Sequence, residues 1–158
     1  MFRKAGVSVV IRKIFMENIK HSKIKILALG GLGENGKNMY VIDVNEKIFI
    51  LDAGLKYPEE ELLGVDAVIP DFKYLIENKE RIVGLFLTHA HEEHIGAVPN
   101  LLKSINVPVY ATRFTMALVE DALRDEMENI DDFQLKIIKN TNVLTFSDVQ
   151  ISFFSTTH

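Results

Sequence analysis

Val83-Gly84-Leu85-Phe86-Leu87-Thr88-His89-Ala90-His91-Glu92-Glu93-His94 is the stretch that decides the fold. Its first half, Val83 to Leu87, is a short apolar run of the kind that forms a buried strand. Its second half sets three imidazoles within six residues, at the C-terminal end of that strand. Neutral imidazoles and carboxylates are the usual nitrogen and oxygen ligands for zinc, and two metals need several donors converging from one short loop. His89 and His91 therefore read as one grip, and Glu93 with His94 as a second. The competing reading is a polar surface loop, or a helix start whose acidic residues are favoured by the macrodipole. His158 joins the candidate ligands from the far end of the chain, whereas His21 stands alone and reads as an exposed residue without a role.

Upstream, Ile24 to Leu29 reads as a strand, followed by Gly31-x-Gly33-x-x-Gly36 with Asp52 further on. That pattern imitates a dinucleotide fingerprint, which requires a helix after the third glycine. Met39-Tyr40-Val41-Ile42-Asp43-Val44 and Ile48-Phe49-Ile50-Leu51 instead read as two strands around Asn45-Glu46, a hairpin, so nucleotide binding is rejected. The glycines are expected to permit a tight loop near the histidines. Asp52 closes a strand before Ala53-Gly54, which leaves its carboxylate at the same sheet edge as the histidine loop. Its expected work is to orient an imidazole by hydrogen bonding; the plainer alternative is strand-end capping, common for aspartate in turns.

The chain has 158 residues, 47% hydrophobic, enough to build a sizeable core as one soluble globular domain. It has no cysteine. Disulfides and thiolate ligands are thereby excluded, and a reducing cytoplasm fits. The first 25 residues carry a net charge of +6 and the rest −10. The mostly apolar stretch Val7 to Ile11 in that basic segment, broken by Ser8 and ended by Arg12 and Lys13, is too short for a signal-peptide core or a membrane span. Strands are expected near 24–29, 39–44, 47–52, 83–88, 107–110, 135–139 and 149–154, and helices near 71–78, 97–104 and 113–128. Pro70 and Pro99 suit the starts of the first two helices. Along the third, Met116, Leu118, Val119, Ala122 and Leu123 are expected to form a core stripe.

Read together, these motifs resemble the metallo-β-lactamase superfamily and, within it, ribonuclease J of the β-CASP nucleases. The superfamily pattern His-x-His-x-Asp-His is matched by His89, His91, Glu93 and His94, with glutamate in the aspartate position. Gly30-Gly31-Leu32-Gly33-Glu34, Gly36-Lys37-Asn38, Leu51-Asp52-Ala53-Gly54-Leu55-Lys56, and Gly64-Val65-Asp66 through Val68-Ile69-Pro70-Asp71 look like ribonuclease J in particular. Phe154-Ser155-Thr156-Thr157-His158 resembles the family's third metal motif. The resemblance implies an α/β fold, the N-terminal part of a metallo-β-lactamase αββα sandwich without the β-CASP domain. It divides the chain into a basic extension, residues 1–23, and a partial domain, residues 24–158. The extension is expected to be disordered, an RNA-touching arm, or an upstream misreading of the start at Met16. A half-sheet of this kind is expected to leave strand edges and apolar surface uncovered.

The resemblance also implies a chemistry. Two zinc ions, with manganese as the alternative, would serve a phosphodiesterase that cleaves RNA in 5′-to-3′ exonuclease and endonuclease modes. His89, His91 and His158 would hold one ion and Glu93 and His94 the other, while Asp52 supports the histidine loop and Glu92 stands beside the site. The acidic body is a poor match to phosphates, so RNA contacts would fall to the basic segment or to a further domain. The implied partners are RNA and a homo- or hetero-oligomer with a ribonuclease J-type subunit, with no membrane. A 158-residue piece is expected to be inactive alone. The rivals are a non-catalytic truncated product or assembly subunit, and another hydrolase of the same fold acting on thioesters or lactams.

Overall fold

The computed structural model describes residues 5–13, 23–58 and 64–157. His21 and His158 lie outside them. In chain order the strands are β1 (Ala5–Lys13), β2 (Ile24–Gly30), β3 (Met39–Val44), β4 (Lys47–Leu51), β5 (Ile82–Phe86), β6 (Val109–Thr112), β7 (Leu135–Ile138), β8 (Val143–Phe146) and β9 (Val149–Thr157). The helices are α1 (Lys73–Glu77), α2 (Glu92–Ile95), α3 (Val98–Ser104) and α4 (Arg113–Glu126). Six strands form one sheet in the order β2-β3-β4-β5-β6-β7, and three form another in the order β1-β9-β8. The pairs β2/β3 and β3/β4 are antiparallel, whereas β4/β5, β5/β6 and β6/β7 run parallel.

Strict alternation along the central strands explains the layering. Met39, Val41, Ile48, Ile50, Leu85, Val109 and Ala111 face one side of the large sheet and pack with Leu75 of α1, Leu101 of α3 and Met116, Val119 and Leu123 of α4. Val44, Phe49, Phe86 and Tyr110 face the other side and meet Val149, Ile151 and Phe153 of β9. Phe86 stacks on Tyr110 with centroids 4.7 Å apart and an interplanar angle of 5°. Two apolar faces on one sheet make the order helices, sheet, sheet, since each pleated face must be covered to be stable.

The hairpin joining β3 to β4 turns at Asn45 and Glu46, with φ of 50° and 66°. Both central residues in the left-handed region match the tight hairpin turn whose twist suits the flanking strands. Asp148, in the turn before β9, accepts hydrogen bonds from Lys47 Nζ at 2.9 Å and Asn45 Nδ2 at 2.5 Å, tying the small sheet to the large one. The Lys47 bond, then the Asn45 bond, hold the Asp148 carboxyl down at about 2 from its ordinary 3.8. A depressed carboxylate contributes stability that is present above its unfolded value and lost as pH falls through its folded value. Asp148→Ala is therefore expected to lower stability by about 1 kcal/mol at pH 7, screened because the pair is half-exposed. The deficit should vanish between roughly pH 4 and pH 2, a window that urea midpoints at both ends would check.

Beside that hairpin the buried Asp43 accepts from Arg81 NH2 at 2.6 and 2.7 Å and from the Tyr74 hydroxyl at 3.5 Å, and Arg81 also donates through Nε to the Glu46 carbonyl at 3.0 Å. Hydrogen bonding to Asp43 leads in raising the Arg81 pKa, against some burial.

Several elements depart from expectation. The strand expected near 107–110 runs Val109–Thr112 instead, because Pro108 lacks an N–H and gives the large sheet only its carbonyl, which accepts from Leu85 at 2.8 Å. Leu118 is 39% exposed rather than in the core stripe. It lies two residues from Met116, about 200° around a helix, and so shares the outer face with Phe114. Residues 5–13, placed by sequence in an extension, pair antiparallel with β9 from Ala5↔Thr157 to Lys13↔Val149. Ile24 and Ile26 of edge strand β2 are 57% and 70% exposed, an apolar strip on the sheet face that carries the small sheet further along. Among the described residues no helix is long and apolar enough to cross a membrane.

Candidate metal centre

The parallel strands decide where the chemistry collects. The C-terminal ends of β4 and β5 and the start of β3 lie at one edge of the large sheet. Asp52 follows β4, Thr88 to His94 follow β5, and Asn38 precedes β3, so the three segments meet there. Ala53 N donates to the His94 carbonyl at 2.8 Å, Leu55 N to the Glu92 carbonyl at 3.1 Å, and Asn38 N to the Glu93 carbonyl at 3.0 Å. The histidine loop is thus held along its backbone on both flanks.

Asp52 is 4% exposed and carries φ of 59°, a left-handed conformation that aspartate tolerates better than most residues. Its Oδ1 accepts from Thr88 N at 2.8 Å, and its Oδ2 accepts from Thr88 Oγ1 at 2.9 Å. Its Oδ2 also lies 2.8 Å from His94 Nδ1. A carboxylate oxygen offers that nitrogen an acceptor, so Nδ1 carries the ring proton and Nε2 keeps its lone pair. Asn38 Nδ2 sits 3.3 Å from His94 Nε2 and donates to the Glu93 carbonyl at 3.0 Å.

The three imidazoles crowd one another. The His89 ring centroid is 4.2 Å from that of His94 and 4.6 Å from that of His91, and His89 Nδ1 lies 2.9 Å from Thr88 Oγ1. Glu93 Oε1 is 3.5 Å from His91 Nδ1, with the carboxylate 42% exposed. The Glu93 pKa is lowered by the hydrogen bond from its own N–H, with burial opposing and the positive potential of His91, His94 and His89 adding. Glu92 accepts instead from the Tyr57 hydroxyl, and that bond, then the carboxylate charge, raises the Tyr57 pKa. Glu92 and Glu93 also fill the first turn of α2, where the helix dipole favours them.

Gly54 shows how closely this edge is packed. A Cβ at that position would fall 1.7 Å from the Glu93 carbonyl oxygen and 2.8 Å from His94 N. The glycine loop before β3 lies against the same edge. Gly36, with φ of 105°, approaches Lys56 so that an added Cβ would sit 2.8 Å from the lysine Cβ. Glu34 closes that loop by accepting from Gly31 N at 3.3 Å and pairing with Lys37 at 3.2 Å. A strand, β3, follows it and no helix does. Asn35, Gly36, Leu55, Lys56, Tyr57, Glu92 and Glu93 line an open cavity of about 350 Å³ beside the histidines.

The donor chemistry suits a divalent cation: imidazoles side by side, one with its rear nitrogen fixed by a carboxylate and its front lone pair facing the Asn38 amide at 3.3 Å. Among the described residues, however, no group of three or more His, Asp or Glu side chains closes on a single point that would hold an ion. Asn38 was given no role at the site from the sequence. Its signals were its place in Gly36-Lys37-Asn38, one of the stretches that carry the family resemblance, and its position immediately before a strand at the edge where Asp52 and the histidines gather.

The metallo-β-lactamase superfamily model matches residues 32–143, and the chain belongs to that superfamily. Within it, the chain is similar to Ribonuclease J 2 of Staphylococcus epidermidis, 49% identical over 140 residues, which are 88% of this chain and 25% of that protein. Ribonuclease J 2 of Staphylococcus aureus strain MRSA252 is 46% identical over 140 residues, again 88% of this chain and 25% of the relative. The chain therefore spans about a quarter of the length of the curated relatives it matches. In fold it is similar to the metallo-beta-lactamase fold protein YhfI from Bacillus subtilis, with a TM-score of 0.50 and 11% identity over 78% of this chain and 50% of that one.

Proposed function

We propose that this chain carries one half of the metal centre of a ribonuclease J-type hydrolase that cleaves RNA phosphodiester bonds. The single observation that carries the metal half of the proposal is the Asp52 Oδ2 to His94 Nδ1 contact at 2.8 Å. Such a bond sets the tautomer and ring angle that a metal-binding imidazole needs. The RNA half is supported by the relatives' name, Ribonuclease J 2, and by 46–49% identity to them over 140 residues.

His89, His91, Glu93 and His94 are the proposed ligands, with His158 a fifth that lies outside the described residues. Asp52 is proposed to hold His94 from behind. Zinc is the proposed ion, manganese the alternative; a bound divalent cation supplies Lewis acidity toward a phosphoryl oxygen and a nucleophile at neutral pH. The protein's own part is to present neutral imidazole nitrogens, to keep Asp52 buried behind them, and to hold the loop still. Exonuclease and endonuclease modes are both part of the proposal.

Glu93 in the position of the family's aspartate favours a second reading, a cation-binding or assembly role without catalysis. The carboxylate is one methylene longer and rests beside His91. The test is a labelled 5′-monophosphate RNA incubated with zinc or manganese and with this chain, alone and within the longest reading frame that contains it. Metal-dependent shortening by the longer protein supports the nuclease. Intact RNA with a hydrolysed thioester or lactam would replace it, and inertness toward all three would favour the non-catalytic role.

A further inference from the structure

We infer that Asn38 is a positioning residue for the His94 side of the histidine loop, fixing the loop backbone and the ring so that Nε2 stays presented to a cation. The inference rests on the proposed half-site. Asn38 stands immediately before β3, so the sheet itself fixes its place. Its backbone N–H and its side-chain Nδ2 both donate to the Glu93 carbonyl, each at 3.0 Å, and its own carbonyl accepts from Gly54 N at 3.0 Å. One residue thereby ties β3 to the peptide between Glu93 and His94 and to the segment after Asp52. The same amide reaches His94 Nε2 at 3.3 Å. With Nδ1 facing Asp52, Nε2 is the acceptor of that contact, and the amide has two hydrogens, so both bonds form together.

Two effects of this amide on cation binding oppose each other. The N–H at Nε2 competes with an incoming ion, while the bonds to the Glu93 carbonyl keep two proposed ligands in register. The separations decide between them. At 3.3 Å the contact to Nε2 is longer than the usual range of about 2.7–3.2 Å, so little is lost when an ion displaces it. The bonds to Glu93 are of ordinary length and survive that displacement. Positioning therefore outweighs competition, and removing the amide weakens binding.

The test uses cobalt(II) alone as probe, titrated by absorption into the full chain, into Asn38→Ala, and into Asn38→Ser as the variant gentler on the fold. In parallel, the imidazole nitrogen resonances of His94 are recorded on the metal-free proteins. Affinity is expected to fall about tenfold in both variants, the scale typical of a lost supporting hydrogen bond. The Nε2 resonance should move toward that of a nitrogen without a donor, a change that a purely structural role would not produce. Wild-type binding with unchanged affinity and an unmoved Nε2 in the variants overturns the role of Asn38 and leaves the half-site standing. Failure of the folded wild-type chain to bind cobalt sinks the half-site, and this inference with it.

Discussion

Gly54→Ala is expected to displace the histidine loop and abolish cation binding, at a loss of about 3 kcal/mol in stability, the upper end for overpacking. The added methyl would lie 1.7 Å from the Glu93 carbonyl oxygen and 2.2 Å from its carbon, both backbone atoms that cannot rotate away. Relief requires the segment after Asp52 to separate from the loop. That movement breaks the bonds from Ala53 N to the His94 carbonyl and from Leu55 N to the Glu92 carbonyl, the same bonds that hold the proposed ligands in place. Urea denaturation with zinc content measured on the same samples would check both parts. A variant that keeps its stability and its zinc would show that the loop tolerates movement that the packing forbids.

Asp52→Asn separates folding from site chemistry. Asparagine has the same shape and accepts the left-handed backbone that Asp52 adopts. Its carbonyl oxygen can still accept from Thr88 N, so the fold should survive with a modest loss of about 1 kcal/mol, one weakened hydrogen bond. Its amide then faces His94 Nδ1 with a donor, which moves the ring proton to Nε2 and removes the lone pair from the side where a cation would bind. Cation affinity is expected to drop about 100-fold, the upper end for such supporting partners. The nitrogen spectrum of His94 would report the tautomer, and calorimetric titration with zinc the affinity. Unchanged affinity with the proton moved to Nε2 would remove His94 from the ligand set.

Much of this was legible in the sequence because it rests on local pattern. Strands β3, β4 and β5 alternate or run apolar without interruption, so their faces and order follow directly. Asp52 could be read because it directly follows a strand that ends where the histidines begin. The helix after Pro70 was expected over 71–78 and runs Lys73–Glu77, with Asp71 Oδ1 accepting from Lys73 N at 2.8 Å.

What escaped depends on contacts that sequence spacing does not encode. Asn38 acts through an amide and lies 56 positions from His94. The Tyr57 to Glu92 bond spans 35 positions and fixes Glu92 outside the histidine cluster. Strand β8, Val143–Phe146, is half-exposed on alternate residues and too short to stand out before its turn. Leu118 was misplaced because composition, rather than its angle from Met116, governed the expectation.

Elemental mass spectrometry on the purified chain, beside His89→Ala and Glu93→Ala, tests the central claim most directly, with circular dichroism to establish that all three are folded. The proposed half-site predicts near-stoichiometric zinc in the wild type and its loss in both variants. A folded wild-type chain free of zinc and manganese after exposure to either would contradict it.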